Sequence, residues 1–293
     1  MIGGARKSGT TALWAFLADH PQVWMSRLKE PHFLTRDANH PAPGVTIIGA
    51  RKARTHQRGL EWYETLFEEG ADCAARGEAS TSYLVAPDTP ELIEQLLPGL
   101  KVVFVLRNPV DRAYSDYWHQ VKRGHQVPPF SAVMDDDPAL RHLLYTGRYA
   151  QHLERHRSVL GDERLHLVLF DDLRADPAEA YRGVCRFIGV DDGFQPDFTV
   201  EHNPHEEPMN EMLQRVIAGT TYRRWRFIPR FVRRPARRLR EFLRTRNLRR
   251  ATYPPMDPDL AGRLREYFED DIAYVERLTR PLPGWRGERD RAA

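Results

Sequence analysis

The sequence has few cysteines, little net charge and no long hydrophobic run. Its two cysteines, Cys73 and Cys185, lie far apart without metal-ligand spacing, so we expect reduced thiols in a cytoplasmic protein, although the sequence leaves a disulfide open. The 44 basic and 41 acidic residues give a net charge of +3, too small to drive strong nonspecific binding to nucleic acid. Since no run of eighteen apolar residues occurs and the first residues lack a signal-peptide pattern, neither membrane spanning nor export is indicated.

The rest of the composition is typical of a folded protein. The 293 residues are 41% hydrophobic and 10% aromatic, enough to bury a substantial core. The length fits one large α/β domain or two small ones, and we favour one domain over residues 1–293. Only five of the basic residues are lysine, a bias that codon usage alone can produce.

Apolar runs alternate with helical patterns along the chain. Continuous apolar stretches over 101–109 ("KVVFVLRNP") and 164–173 ("RLHLVLFDDL") predict buried parallel strands, and a short strand over 1–3 opens the chain. This alternation predicts an α/β fold with a P-loop-type central parallel sheet flanked by helices. The predicted helices cover 12–20, 109–124, 147–161, 177–190 and 260–278.

Three segments do not fit this alternation. Residues 37–60 and 125–138 are rich in proline, glycine and histidine, and we interpret them as loop insertions that line an acceptor groove. Residues 223–250 are dense in arginine. This stretch could form a lid, a partner surface or a solvated helix.

The chain opens with "GGARKSGTT", a glycine-rich turn between a strand and a helix. N–H groups at a helix N-terminus favour an anion, Lys7 adds a positive charge, and Thr10 and Thr11 add hydroxyl donors. In the P-loop of nucleoside-triphosphate enzymes the lysine follows the last glycine, whereas Lys7 precedes Gly9. A turn that only caps a helix explains neither Lys7 nor the hydroxyls. The stretch therefore predicts a phosphate-binding loop of a different kind.

A second motif, "LRNPVDRAYSDYW", follows the strand over 101–109. It places Arg107 at the carboxyl end of that strand and Ser115 in the next helix, and ligands of open parallel sheets bind outside such strand ends. A guanidinium and a hydroxyl could bind a second phosphate through charge-assisted hydrogen bonds. Taken alone, the motif is more often a structural ion pair and a surface serine.

Together the two motifs resemble those of the PAPS-dependent sulfotransferases, which use 3′-phosphoadenosine 5′-phosphosulfate (PAPS) as sulfuryl donor. The similarity is to the carbohydrate branch, the heparan sulfate 3-O- and N-sulfotransferase-like enzymes, and to its bacterial-type members. "KEPHFL", "GEASTSYL", "FDDL" and "YPPMD" resemble further landmarks, so the resemblance covers most of the chain. It implies the following donor-binding residues: Arg6, Lys7, Ser8, Gly9, Thr10 and Thr11 for the 5′-phosphosulfate, Arg107 and Ser115 for the 3′-phosphate, and, more loosely, Arg249 and Arg250 in a segment that closes over the nucleotide.

The resemblance also implies catalytic roles for Lys7, Glu30 and His32. In the "EPHF" motif the glutamate is the general base, which corresponds to Glu30, with His32 beside it in the acceptor site. A carboxylate within reach of a hydroxyl can remove its proton as the new S–O bond forms, and Lys7 would stabilise charge on the bridging oxygen. No metal is required. Without the resemblance, Glu30 would be interpreted as an ion-pair partner of Lys29 or a helix cap, and His32 as a structural histidine.

Two positions depart from the heparan sulfate enzymes. Thr35 stands where those enzymes carry a catalytic aspartate, and Asp37 comes two residues too late. Ala79 stands where they place a lysine near the reacting sulfate. These differences argue against a heparan-like acceptor and favour another hydroxyl compound.

We therefore predict sulfuryl transfer from PAPS to a hydroxyl of a carbohydrate or natural-product small molecule, with release of adenosine 3′,5′-bisphosphate (PAP). We expect no membrane or nucleic-acid partner. One alternative is a P-loop kinase in which Asp171 and Asp172 bind Mg²⁺. Another is a noncatalytic protein that binds a polyanion through residues 223–250. The sequence leaves open the acceptor, the oligomeric state and whether the native start lies upstream of Met1.

Overall fold

A parallel sheet runs through the centre of the protein. The computed structural model describes residues 1–39, 41–47, 55–200 and 253–287, with the backbone alone of 206–208 and 248–250. The strands are β1 (Ile2–Gly4), β2 (Val23–Met25), β3 (Ala75–Gly77), β4 (Val102–Leu106), β5 (Leu165–Leu169), β6 (Glu206–Pro208) and β7 (Leu248–Arg250).

The central strands are parallel and hydrogen-bonded in the order β1-β4-β5. β2 pairs in parallel with β3, and the chain leaving β3 continues beside β1. There the amide of Ile2 donates to the carbonyl oxygen of Glu78 (2.9 Å), and the amide of Ser80 donates to that of Ile2 (3.0 Å). Through these hydrogen bonds the two-stranded β2-β3 sheet adjoins the three-stranded β1-β4-β5 sheet, which confirms the predicted α/β class; β2 and β3 are additions to the prediction.

The side chains of β4 explain why its sequence is a continuous apolar run. Val102, Phe104 and Leu106 belong to one buried cluster, while Val103 and Val105 belong to another. Successive residues of a strand point to opposite faces, so both faces of this strand are covered, as parallel sheets require.

Helices supply the two covering layers. The helices are α1 (Thr10–Ala18), α2 (Leu60–Glu64), α3 (Thr89–Leu96), α4 (Pro109–Lys122), α5 (Arg141–Tyr145), α6 (Tyr149–Leu160), α7 (Phe170–Ala175), α8 (Pro177–Ile188), α9 (Pro258–Tyr267), α10 (Glu269–Leu278) and α11 (Pro283–Arg286). α1 and α8 contribute Leu13, Phe16, Tyr181 and Val184 to the cluster on one face. Parts of α3 to α6, α9 and α10 pack in the cluster on the other face.

Two predicted elements differ from the structure. The strand predicted over 164–173 ends at Leu169, because "FDDL" starts α7. The helix predicted over 260–278 is two helices that meet at Phe268. The fully buried ring of Phe268 packs where Gly147 has no side chain, since a Cβ atom on Gly147 would lie 2.7 Å from that ring.

The predicted insertions and the arginine-dense stretch are described only in part. Residue 40 and residues 48–54 of the first insertion lie outside the described residues, and its described end forms a short 3₁₀ turn, His56–Arg58. The second insertion contains a 3₁₀ turn at Phe130–Met134. Of residues 223–250 only β7 is described, paired antiparallel with β6. Within the described part of the chain, no helix has the length and apolar character needed to cross a membrane.

Candidate functional site

The glycine-rich loop leaves the carboxyl end of β1 and leads directly into α1. The amide of Ala5 donates to the carbonyl oxygen of Val105 in β4 (2.7 Å), which fixes the start of the loop. Gly9 turns the chain into α1 at φ 90°, where a Cβ atom would lie 2.9 Å from Cδ2 of Phe170, so this turn needs glycine. No described side chain caps α1, and its first turn holds no acidic residue. Its positive end is therefore open to an anion.

Lys7 lies in this loop in surroundings that favour the neutral form of its amine. Its backbone adopts the left-handed conformation, with φ 67°. Burial lowers the pKa of Lys7 to about 8; Asp116 opposes this shift, and the cations Arg6, Lys122 and Arg107 add to it. A bound anion would favour the charged form again. The electrostatics of the loop therefore suit an anionic ligand.

The hydroxyl residues of the loop differ in exposure. Ser8 and Thr10 are buried, whereas Thr11 is half-buried on the first turn of α1. The ammonium group of Lys29 donates to Oγ1 of Thr11 (2.8 Å). Because that oxygen accepts from Lys29, the hydroxyl hydrogen of Thr11 is left to bond another acceptor.

The second motif lies at the same end of the sheet. Arg107 follows β4, its Nη1 donates to the carbonyl oxygen of Lys7 (3.3 Å), and its guanidinium lies 4.9 Å from the ring centre of Phe170. Ser115 lies about two turns into α4 and is 2% exposed, and its hydroxyl has no hydrogen-bond partner among the described residues. Since an unpaired buried hydroxyl is costly, Ser115 fits a site that a ligand oxygen completes.

Arg6 forms an ion pair within the protein. Its Nε lies 2.9 Å from Oδ1 of Asp116 on α4, and its Nη2 has no partner among the described residues. Nη1 of Arg112 lies 3.5 Å from the other carboxylate oxygen, and both Arg112 and Asp116 are fully buried. Burial alone would raise the pKa of Asp116, but Arg6, His142 and Arg112 hold it well below its ordinary value. This ionised carboxylate ties the loop to the helix that carries Ser115.

Glu30 and His32 lie together on the segment after β2. The amide of Thr81 donates to Oε2 of Glu30 (2.9 Å), and the Thr81 hydroxyl lies 3.2 Å from the same oxygen. Nε2 of His32 lies 3.5 Å from that carboxylate, and its Nδ1 bonds Oγ of Ser82 (2.7 Å). The Glu30 side chain is 33% exposed. The structure thus presents a fixed and partly accessible carboxylate, which can accept a proton from a ligand.

Thr35 and Ala79, the residues that depart from the heparan sulfate enzymes, are both buried and make contacts within the fold. Thr35 is 1% exposed and donates to Oδ1 of Asp88 at the start of α3 (3.0 Å). Asp37 accepts from the backbone amide two residues later. Ala79 is 1% exposed and bridges to Ile2 of β1. Thr35 and Ala79 are therefore parts of the fold here.

The "YPPMD" segment packs on α4 next to Ser115. The rings of Tyr253 and Trp118 stack with centres 5.5 Å apart and planes 11° apart. The hydroxyl of Tyr114 donates to the carbonyl oxygen of Pro254 (2.7 Å). This landmark therefore lies at the proposed nucleotide site.

Arg249 and Arg250 remain predictions. Their backbone lies in β7, opposite Glu207 and Glu206 of β6, and their side chains lie outside the described residues. His40 and residues 48–54 of the first insertion also lie outside the described residues, so their place in the acceptor groove stays a prediction.

His119 is a further candidate for the site that the sequence analysis missed. It lies one turn after Ser115 on α4. Burial lowers the pKa of His119 to about 2, and Lys7 and Arg6 contribute to the shift, so the imidazole is neutral at pH 7. A neutral ring near Lys7 can donate or accept a hydrogen bond. The four-residue spacing from Ser115 was the available sequence signal, because such residues share a helix face.

The carboxylates considered for magnesium are engaged elsewhere. Oδ2 of Asp171 accepts from the indole N–H of Trp285 (2.6 Å), and Asp172 pairs with Arg280. In the part of the chain that the structure describes, no cluster of three or more His, Cys, Asp or Glu residues could hold a metal ion. These contacts weigh against the kinase alternative.

The fold and the site define an α/β protein with two candidate anion-binding elements that follow neighbouring parallel strands and a carboxylate beside them. This chain belongs to the sulfotransferase family, because the profile of that family matches residues 1–196. Its membership makes it a transferase, and neither the kinase nor the polyanion-binding alternative is favoured.

Named relatives agree with the family. The bifunctional heparan sulfate N-deacetylase/N-sulfotransferase 4 of Mus musculus is 26% identical over 97% of this chain and 30% of its own length. The heparan sulfate glucosamine 3-O-sulfotransferase 6 of Homo sapiens is 32% identical over 65% of this chain and 52% of its own length. The chain thus spans about a third to a half of these relatives. The crystal structure of a sulfotransferase from Alicyclobacillus acidocaldarius matches with a TM-score of 0.68 and 26% identity, over 97% of each chain.

Proposed function

We propose that residues 1–293 form one sulfotransferase domain that transfers the sulfuryl group of PAPS to a hydroxyl of a carbohydrate or natural-product small molecule. The observation that carries the proposal is the pairing of two anion sites at adjacent strand ends. The loop after β1 and the Arg107–Ser115 element are joined by the contact of Arg107 with the Lys7 carbonyl. PAPS carries a 5′-phosphosulfate and a 3′-phosphate, one for each element.

In the proposed reaction the acceptor oxygen attacks sulfur, and the bond from sulfur to the bridging phosphate oxygen breaks. Glu30 takes the acceptor proton, with His32 beside it, and PAP leaves with the bond electrons on its 5′-phosphate. Lys7 and the first N–H groups of α1 stabilise that charge. Arg107 and the Ser115 hydroxyl hold the 3′-phosphate. Arg6, Ser8, Gly9, Thr10 and Thr11 shape the loop or bind the 5′ end, and Arg249 and Arg250 would cover the nucleotide.

The acceptor and the location are finer parts of this proposal. The names of the relatives include both N- and O-sulfotransferases of a glycan, and the residues Thr35 and Ala79, which depart from the heparan sulfate enzymes, favour another hydroxylated acceptor for this chain. The free thiols of Cys73 and Cys185 support action in the cytoplasm, where thiols stay reduced.

Thermal unfolding with PAP, compared with ATP and Mg²⁺, tests the donor site. A ligand that binds only the native state raises the melting temperature, so we expect stabilisation by PAP in the wild type. The stabilisation should be lost in Arg107→Ala and kept in the control Arg182→Ala, whose side chain pairs with Glu179 on the surface of α8. Stabilisation by ATP and Mg²⁺ alone would contradict the proposal.

Turnover tests the proposed base. Glu30→Gln keeps the shape of the side chain but removes the proton acceptor, so PAP binding should change little while sulfuryl transfer falls by about 10²–10⁴-fold. An acceptor panel of sugars and phenolic or alkyl alcohols with radiolabelled PAPS gives the readout. Wild-type turnover in Glu30→Gln would show that Glu30 is not the base.

A further inference from the structure

Lys29 is held against the first turn of α1. Its ammonium group donates to Oγ1 of Thr11 (2.8 Å) and lies 5.3 Å from the ring centre of Trp14. The side chain is half-buried, and burial lowers the pKa of Lys29 while Glu30 opposes the shift. A cation thus stands beside the phosphosulfate loop although it comes from the acceptor segment.

Lys29 and Glu30 are consecutive but make different contacts. The carboxylate of Glu30 is bonded by Thr81 and lies beside His32. Among the described residues no ion pair joins Lys29 to Glu30, so the ion pair considered from the sequence is not what holds Lys29. One residue therefore contacts the donor loop, and the next lies on the acceptor side.

Among the described residues no carboxylate forms an ion pair with the Lys29 ammonium group, although Glu30 lies near enough to favour its charged form. The N-terminus of α1 has no acidic residue in its first turn, and Lys7 and Arg107 already lie at this end of the sheet. Bringing a further half-buried cation here is unfavourable unless an anion joins it. The arrangement therefore indicates that Lys29 acts on a bound anion.

The proposed reaction fixes which part of the anion this is. The acceptor hydroxyl must lie within hydrogen-bond reach of Glu30, and the 5′-phosphate lies on the loop, so the sulfuryl group must sit between them. Lys29 extends across the space between Glu30 and the loop, because its backbone adjoins Glu30 and its ammonium group donates to Thr11. An ammonium group has three N–H donors, and the described residues receive one of them.

We propose that Lys29 binds the sulfuryl oxygens of PAPS and stabilises their charge during transfer, an inference that rests on the proposed function. Lys29 stays protonated throughout, and the proton of the acceptor goes to Glu30. The hydroxyl of Thr11 lies between Lys29 and the 5′-phosphate, since it accepts from the ammonium group of Lys29 and can donate to the phosphate. Lys29 thus discriminates PAPS from PAP, which has the same nucleotide but lacks the sulfuryl group.

The test compares the affinities of PAP and PAPS, measured by calorimetry without acceptor, in the wild type and Lys29→Met. Loss of a hydrogen bond from a charged donor weakens binding by about 10–100-fold, so PAPS affinity should fall by at least about tenfold while PAP affinity changes less than about threefold. Turnover should fall by about 10²–10³-fold, as for other lost transition-state donors. Lys101→Met is the matched control, because Lys101 also donates to an oxygen, here the carbonyl oxygen of Phe187, and lies over the ring of that residue, but at the opposite end of β4.

The possible results separate the roles. An equal loss of affinity for both nucleotides, or no loss for either, would overturn the proposal, since Lys29 would then only shape the loop or lie outside the site. If Lys29→Met fails to fold by circular dichroism, Lys29→Gln serves in the same comparison. A wild type that binds neither PAP nor PAPS would refute the proposed function itself, whatever the variants show.

Discussion

The buried ion pair between the donor loop and α4 predicts a large stability loss for Asp116→Asn. The substitution keeps the shape of the side chain but removes its charge, so Arg6 at 2.9 Å and Arg112 at 3.5 Å lose their carboxylate. Arg112 is fully buried and cannot regain hydration. Breaking a buried pair from one side costs about 3–5 kcal/mol. For 293 residues, with an unfolding entropy of about 2.1 cal/mol/K per residue, the melting temperature should fall by about 5–8 °C.

Differential scanning calorimetry at pH 7 measures this loss. The control is Asp172→Asn, which breaks a half-exposed pair with Arg280 and should cost less than about 1 kcal/mol. Asp116→Asn combined with Arg112→Met should recover part of the loss, because removing both charges is cheaper than removing one. Equal losses in the two single variants would refute the reasoning that burial makes this pair costly to break.

The effect should also depend on pH in a defined direction. Since the pKa of Asp116 lies well below its ordinary value in the folded protein, its ionised form stabilises the fold above about pH 4, the ordinary pKa of an aspartate. This contribution is lost as the pH falls towards the lowered pKa. The difference in stability between wild type and Asp116→Asn should therefore narrow below about pH 4, and a constant difference would show that charge is not its source.

Two further predictions concern the loop itself. The affinity for PAP should fall above about pH 8, by up to about tenfold per pH unit, because Lys7 with its pKa of about 8 loses its charge; calorimetry from pH 7 to 9.5 should give a sloping profile in the wild type and a flat one in Lys7→Arg. Gly9→Ala should destabilise the protein more than Gly189→Ala, by about 1–3 kcal/mol. Both glycines have positive φ, but only the new methyl group at Gly9 would meet Phe170, whereas Gly189 has open space; equal losses in urea unfolding would contradict the steric argument.

The sequence predicted elements whose signals are local. β4 and α4 follow from the apolar run and from Pro109 at the first turn, with Asn108 capping the helix through its side chain. The break at Phe268 was not predicted; the ring of that residue packs against Gly147, a contact between segments more than a hundred residues apart that no local pattern displays. β2 and β3 were missed because each has only three residues, too few to show a period; β1 is equally short and was predicted from the glycine-rich turn that follows it.

In the candidate site, too, features within one sequence motif were predictable, whereas contacts between distant segments were not. The loop and the Arg107–Ser115 element are readable because each lies within one short motif. The pairing of Arg6 with Asp116 and the contact of Lys29 with Thr11 arise only when the sheet brings distant segments together. The neutral state of His119 depends on burial and on Lys7, neither of which a sequence pattern displays.

The pairing of β1 with β4 has a consequence for nucleotide choice. Neighbouring parallel strands lie about 4.8 Å apart, and the two anion sites begin where these strands end, so main-chain hydrogen bonds set the distance between the sites. The backbone thus sets the spacing of the two proposed anion sites, and the side chains supply the contacts with the phosphates. Substituting Arg107 or Lys7 would weaken the contact at one site, but it would leave the strand spacing that separates the two sites unchanged. The proposed preference for a nucleotide with both a 3′- and a 5′-phosphate would therefore depend on the backbone, which single substitutions change least.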